Sequence, residues 1–451
     1  MPMDQSLRAT LELFERSGDL HIVEREVDPR FELGAVLSLR GRGATQLFRN
    51  VKGSAMPVVG NLLNTREKIA RALGLARHDV QPVIIRALDQ GIPPVVVDDA
   101  PVHDVIVTGE PDIPGILPVP TWFEKERGPY ITAGVITARD PETGRRNVSI
   151  ARLLLLGGNR LMAGIAPTHH LSELLRRAAS RGRALEIAVA IGNHPATLLA
   201  SQMYVDLGHD EFDVAGALLG EPLRLARCTT VDLEAPAEAE IVIEGVLHAE
   251  ERIEEGPVSE FPGFYVHYGA GHGVRVSAIT HRRDAIYQAI MPGYEPEHLL
   301  LGGIAIGATT CRALRRVIPA VREVLVTEGG MGRLHAIITM HQPKRGEGKR
   351  AIMLAMGQVN LLKLVIVVDD DIDPEDWTQV EWALAARMRG ERDIMIVPDM
   401  KADRCEPQHE DLTVTKVGIV ATTRPGDEGR FEFARPPAEV IERVRREIGM
   451  Y

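Results

Sequence analysis

Two short segments of this 451-residue chain bring a guanidinium and two carboxylates into what otherwise reads as apolar core. The first is Asn147-Val-Ser-Ile-Ala-Arg152; the second, much later, is Glu255-Gly-Pro-Val-Ser-Glu260. Arginine does not give up its proton, so a buried one must be matched by acids. Two carboxylates beside one guanidinium are pushed apart in pKa, one held ionised and one able to carry a proton near neutral pH. That is the electrical arrangement of a proton-transfer site. Alternation along 148–156 places Arg152 on the face of Val148, Ile150 and Leu154, with Ser149, Ala151 and Leu153 opposite. The plainer reading of Arg152 alone is a rim arginine with a packed stem and a wet head. The plainer reading of 255–260 is a solvated loop, because Glu250, Glu251, Arg252 and Glu254 precede it. Phe261-Pro-Gly-Phe-Tyr265 follows at once, however, and a Glu260 held against that bulk would have a raised pKa and serve as a general acid.

Thr168-His-His170 sits at the mouth of a predicted helix. Adjacent histidines commonly serve as a cap and a packed imidazole. With an asparagine and an acid such as Glu211 they could also hold a divalent cation, and mixed oxygen and nitrogen ligands suit Mn²⁺ or Mg²⁺ better than a structural zinc. The clusters Gly269-Ala-Gly-His-Gly273 and Gly329-Gly-Met-Gly332 do not match the glycine fingerprint of a dinucleotide fold. Asp369-Asp-Asp371 reads as a helix-entry loop ahead of Asp373, with metal binding the weaker alternative.

The elements that must position these residues fall into distinct styles. Residues 4–18 and 65–76 have helical spacing, and the Pro-rich stretch 111–120 marks a boundary or crossing strand. Strands at 130–139 and 148–156 flank a turn at 140–144 as a hairpin. Residues 172–182 read as a helix, 185–191 as a strand and 196–203 as a short helix or turn. A β-rich block over 223–290 has short Gly/Pro connections that suggest a barrel-like sheet. Beyond about residue 300 the pattern becomes alternating α/β: helices at 308–317 and 349–359, strands at 323–327 and 362–368. A helix capped by Asp373 follows, with Pro374 at its first position and Gly390 after its end. The last segment, 436–450, lines up Val440, Ile441, Val444 and Ile448 for packing on its own domain or on a second subunit.

Composition limits the function. A net charge of −11 and 4% aromatic residues argue against nucleic-acid binding. Three distant cysteines, Cys228, Cys311 and Cys405, exclude a disulfide framework or a zinc ribbon. No signal peptide or membrane-length apolar run is evident, so the expectation is a cytoplasmic enzyme with no membrane partner.

These motifs, in this order and over almost the whole chain, resemble the UbiD family of reversible decarboxylases that use prenylated FMN. The resemblance rests on Asn147-x4-Arg152, His170, Glu255-Gly-Pro-x-x-Glu260 with Gly263-Phe-Tyr, and the run Lys363 to Pro374 with Val380-Glu-Trp-Ala383. It implies a catalytic triad of Arg152, Glu255 and Glu260. It also implies Mn²⁺ (or Mg²⁺) on the cofactor phosphate, held by Asn147, His170 and Glu211, with Glu221 a competitor for the last position. Ile150 and Ala151 match backbone contacts to the flavin, and His169 falls among the cofactor-binding positions. Ser201 and Met203 match main-chain oxygens around phosphate and K⁺, and Lys363 matches a lysine near the cofactor. The implied fold is a multidomain α/β one: an N-terminal α/β domain (1–112), a central FMN-binding split β-barrel of flavin-reductase type (113–300), a C-terminal α/β oligomerisation domain (301–435) and a terminal helix (436–451). The implied reaction is non-oxidative decarboxylation of an aromatic, heteroaromatic or α,β-unsaturated acid through a covalent adduct with the cofactor. A carboxylase, a carboxylase subunit, a flavin reductase and a non-catalytic flavin scaffold are the alternatives. A flavin prenyltransferase would supply the cofactor, and a homodimer or higher oligomer is expected. Ser259, where relatives often have glycine, and Phe261-Pro262 depart from the pattern and leave the substrate open.

Overall fold

The structure is a computed structural model that describes residues 4–449 except 425, 428, 432 and 433. The chain folds as a mixed α/β protein around three main sheets. The helices expected near the start form as Leu7–Ser17 and Arg66–Ala72. Ser6 caps the first by accepting from the Ala9 N–H, and Gly18 ends it at φ 78°, where a side chain would be strained. Leu7, Leu11 and Phe14 bury one helical face. The N-terminal sheet runs Leu20–Val23, Thr45–Phe48, Val58–Gly60, then Tyr287–Gln288, which returns from far along the chain and ties this sheet to the centre.

The central sheet is antiparallel. Its order is Tyr130–Ile131, Arg152–Gly157, Arg160–Gly164, Ala270–His281, Ile241–Glu254, Leu185–Ile191, Val135–Arg139 and Arg146–Ile150, with Val105–Thr108 branching from Ala270–His281. The expected single strand over 148–156 is instead two strands split at Ala151. The first half pairs with Val135–Arg139, and the second pairs with Arg160–Gly164 and Tyr130–Ile131. One chain run therefore reaches both end regions of the sheet. Among the described residues no hydrogen-bonded ladder closes the barrel expected from sequence; the two sides are joined covalently, through Ala151 and through residues 132–134.

The third sheet has the order Val321–Val326, His335–Met340, Leu364–Asp369, Thr413–Ala421, Ile394–Lys401. Leu364–Asp369 lies parallel to both neighbours and is buried along nearly its whole length, which explains its unbroken apolar sequence. The helix expected over 308–317 begins much earlier and spans Pro296–Arg315. Its early turns contain Gly302, Gly303 and Gly307, which weaken the apolar pattern. A Cβ at Gly307 would lie 2.6 Å from the Val324 carbonyl, so the glycine permits close helix–strand packing. The expected cap at Asp373 is also corrected. The helix is Trp377–Arg387, and Asp376 caps it by accepting from the Thr378 N–H at 2.9 Å. Asp373 instead accepts from the Glu375 N–H in the preceding turn, and Gly390 opens the short helix Gly390–Asp393. Asp369 and Asp371 are neutralised by Arg387, at 2.8 and 2.6 Å. The terminal helix Ala438–Glu447 buries no residue, and Val444 and Ile448 are exposed; Met450, the end of the segment read from sequence, lies outside the described residues. No helix among the described residues is long and apolar enough to cross a membrane.

Gly164 lies opposite Arg152 in the central sheet, and a Cβ there would stand 2.8 Å from the guanidinium carbon. Gly164→Ala should therefore destabilise the fold by about 1–3 kcal/mol, the usual cost of overpacking a filled site. Chemical denaturation monitored by circular dichroism checks this, with an unchanged midpoint as the contrary result.

Candidate active site

Arg152 opens its strand immediately after the split at Ala151, and the bare backbone of Gly164 leaves room for its side chain. The facing carboxylates come from a tight hairpin. Glu255 directly follows the long strand Ile241–Glu254, and Gly256 turns the chain at φ 80°. Pro257–Ser259 then pairs with Tyr265–His267. Glu260 closes the turn, its carbonyl accepting from the Gly263 N–H at 2.8 Å and its N–H donating to the Phe264 carbonyl at 3.1 Å. The hairpin thus fixes the spacing of the two acids.

The guanidinium is shared unequally. Arg152 Nε and Nη2 donate to the two oxygens of Glu255 at 2.5 and 2.7 Å, a bidentate pair in which the Glu255 side chain is 1% exposed. Glu260 lies 3.5 Å from Nη1, and its side chain remains 17% exposed. Burial alone would depress the Arg152 pKa; the bonds and charge of Glu255 and the charge of Glu260 overcome this and raise it. The rim-arginine and solvated-loop readings are therefore set aside: these three side chains meet. Glu255 is fully engaged, whereas Glu260 keeps an open edge.

Residues that sequence reasoning missed complete the surroundings. The Tyr268 ring lies under Arg152 at 4.7 Å and under Arg404 at 3.8 Å, and its hydroxyl is 2.6 Å from Cys405 Sγ. Arg404 and Cys405 bring the C-terminal part of the chain onto the central sheet. Arg333 stacks over Phe261 at 5.6 Å and donates only to the backbone carbonyls of Leu299, Gly332 and His298. Burial lowers its pKa, with Tyr204 and Glu260 pulling the other way. Neither Arg333 nor Arg404 has a carboxylate ion pair among the described residues. Glu126 is buried amid the exposed neighbours Lys125 and Arg127 and accepts from the Ser259 N–H at 3.4 Å. In the sequence, 123–127 resembles an ordinary charged surface run. Only the glycine cluster before Arg333 hinted at close packing there.

A second polar group lies on the strand Arg146–Ile150. Glu211 is buried, accepting from Asn147 Nδ2 at 2.9 Å and from the Val148 N–H at 2.6 Å. Burial pushes its pKa up to about 8. Asn147 Oδ1 and Ser149 Oγ, on one face of the strand, are buried without a protein partner. A buried carboxyl beside orphaned oxygens is a donor set that a hard cation, by displacing the proton, would satisfy. Glu221, the competing acid, is instead engaged by Gln5 at 3.0 Å. His170 begins the helix His170–Ala179 with His169 at its N-cap, and among the described residues no hydrogen bond or ion pair joins either to the Asn147–Glu211 pair. Ile150 and Met203 pack against one apolar cluster that includes Val148 and Phe212, and Ala151 is buried beside them in the chain. Ser201 Oγ donates to the Leu198 carbonyl, so its side chain is used within its own turn. Lys363 pairs with the buried Glu406 at 2.5 Å, next in sequence to Cys405.

Residues 11–88, 95–295 and 299–421 match models for the N-terminal, Rift-related and C-terminal domains of 3-octaprenyl-4-hydroxybenzoate carboxy-lyase, UbiD. The chain is 38% identical to the anhydromevalonate phosphate decarboxylase of Methanothermobacter thermautotrophicus, over 91% of this chain and 96% of that one. It superposes with a TM-score of 0.92, at 42% identity, on the UbiD-class enzyme HmfF from Pelotomaculum thermopropionicum in complex with FMN, covering 96% of this chain and 97% of that one. An evolved dimeric form of HmfF in complex with prFMN gives 0.89 at 41% identity, over 97% and 98% of the two chains. Matched along nearly its whole length by all three domain models, this chain belongs to the UbiD family of carboxy-lyases.

Proposed function

We propose that the chain catalyses the reversible, non-oxidative decarboxylation of an unsaturated or aromatic carboxylic acid on prenylated FMN. The observation that carries this reading is the unequal sharing of Arg152 between Glu255 and Glu260. Loss of CO₂ from an sp² carbon leaves electron density that side chains stabilise poorly, and the bound flavin supplies the electron sink. Arg152 keeps Nε and Nη2 on Glu255 and offers Nη1 towards Glu260 and a substrate carboxylate. The Glu255 pair holds the guanidinium plane in place, so substrate binding need not reorganise it. Glu260, with its open edge, delivers the proton to the carbon that loses CO₂, and in the carboxylation direction it removes that proton.

Asn147, Glu211 and His170 are the residues that would hold Mn²⁺ or Mg²⁺ against the cofactor phosphate. Main-chain oxygens of Ser201 and Met203 would serve K⁺, and Ile150, Ala151, His169 and Lys363 would line the cofactor. The orphaned Asn147 Oδ1 supports the metal reading. A dimer is the assembly we expect, since one of the similar structures is described as dimeric. The substrate class is narrowed by charge. Arg333 and Arg404 lack acidic partners near Glu260, and one relative is named for a phosphorylated acid. A carboxylic acid bearing a second anionic group fits such a cleft.

Three measurements test this. CO₂ release by the enzyme reconstituted with prenylated FMN should be found for acids carrying a second carboxylate or a phosphate ahead of simple aromatic monoacids; the reverse order would remove the second-anion preference. Glu260→Gln should lower turnover by at least about 10²-fold, the lower end of what positioned proton transfer contributes, while the flavin stays bound. Retained turnover would reassign the proton donor. Prolonged chelation followed by desalting should strip flavin absorbance from the protein, and full retention of flavin after metal removal would contradict the phosphate–metal arrangement.

A further inference from the structure

Glu126 makes the charge count of the Arg152 cluster uneven. The residue is only 8% exposed, and its carboxyl has no cationic partner among the described residues. One oxygen accepts from the Ser259 N–H at 3.4 Å and the other from the Phe123 N–H at 3.2 Å. The negative charge it meets is Glu255. Glu126 and Glu255 are thus two buried carboxylates that act on each other, and the nearby guanidinium of Arg152 already spends its bidentate edge on Glu255. An anionic Glu126 would be an uncompensated charge in a poorly solvated site, which is costly. Burial and the neighbouring Glu255 both favour the protonated form of Glu126.

The geometry also ties Glu126 to the proton donor. Ser259, whose amide it holds, immediately precedes Glu260. Glu255, which it would repel when ionised, lies at the other end of the same six-residue segment. Unless one of the two acids is protonated, their repulsion is relieved by moving one of them, and either movement displaces that segment. We propose that Glu126 is a positioning residue that must be uncharged: as a neutral acid it anchors the Ser259 amide and with it Glu260, and its ionisation sets the alkaline limit of turnover. This rests on the reading of Glu260 as the proton donor. Burial pushes the Glu126 pKa up to about 7, opposed by the Ser259, Phe123 and Trp122 amides and reinforced by Glu255. The buried Tyr130 is the other titratable group that feels both acids.

A carboxyl that binds its proton more tightly in the folded chain stabilises the fold at low pH, and this contribution is lost as pH rises through the folded value of about 7. Glu126→Gln keeps the size and an acceptor oxygen but cannot ionise. In the enzyme loaded with prenylated FMN, wild-type kcat/KM should fall about tenfold per pH unit above neutrality, as for loss of one required proton. Glu126→Gln should remain flat there, and Glu126→Asp should retain the fall. In flavin-free protein, thermal midpoints of Glu126→Gln should gain on wild type as pH rises from about 5 to about 8. An unchanged alkaline limb in Glu126→Gln, a folded Glu126→Gln that is inactive at every pH, or parallel melting curves would each overturn the proposal. If neither protein turns over any acid, the decarboxylase reading fails, and the melting curves still decide the state of Glu126.

Discussion

The bidentate pair between Arg152 and Glu255 is the constraint on which the rest of the site depends. Neither partner could be buried alone: a lone guanidinium or carboxylate in so dry a place would cost more than packing returns. Bringing them together requires the chain to split its strand at Ala151, to leave Gly164 without a side chain, and to turn at Gly256. Once made, the pair uses one edge of the guanidinium and leaves the other free. The site's polarity comes from that remainder.

Around the pair, charge is distributed unevenly. Acids gather on the side of the central sheet, with Glu126, Glu255 and Glu260, whereas Arg333 and Arg404 arrive from the C-terminal part of the chain with no carboxylate ion pair among the described residues. Tyr268 lies between the two sets, with a guanidinium from each part within cation–π distance of its ring. A carboxylate ligand entering between them would meet cations on one side and carboxyl groups on the other. The Asn147–Glu211 group lies along the strand that precedes Arg152, so a single run of chain, 146–157, carries both this polar group and Arg152.

Much of the architecture was legible in the pattern of residues. The strand over 185–191 forms as Leu185–Ile191, and the valine-rich run after Lys363 is the centre of a parallel sheet. The errors have physical causes. Alternation continues through Ala151 although hydrogen bonding changes partners there, so two strands looked like one. Glycines that permit close packing hid the first half of the helix Pro296–Arg315. Asp373 and Pro374 form a good cap in isolation, but Asp373 is used in a turn and Asp376 takes the helix end. Glu126 and Arg333 were invisible because a charged residue in a charged or glycine-rich run does not reveal its burial.

The amino-acid sequence by itself determined which chemistry was available: an arginine and two glutamates in otherwise apolar strands, an asparagine, histidines and an acid with oxygen–nitrogen ligand character, and no cysteine framework. Those are properties of residue type and local spacing, which persist whatever the fold. Tertiary structure alone decided how the charges are divided. It gave Glu255 both bonds of the guanidinium, left Glu260 with an open edge, set Glu126 without a cation, and delivered two unpaired arginines from another part of the chain. Electrostatic roles depend on distance and burial between residues remote in sequence, and these exist only once the strands are paired and the units packed.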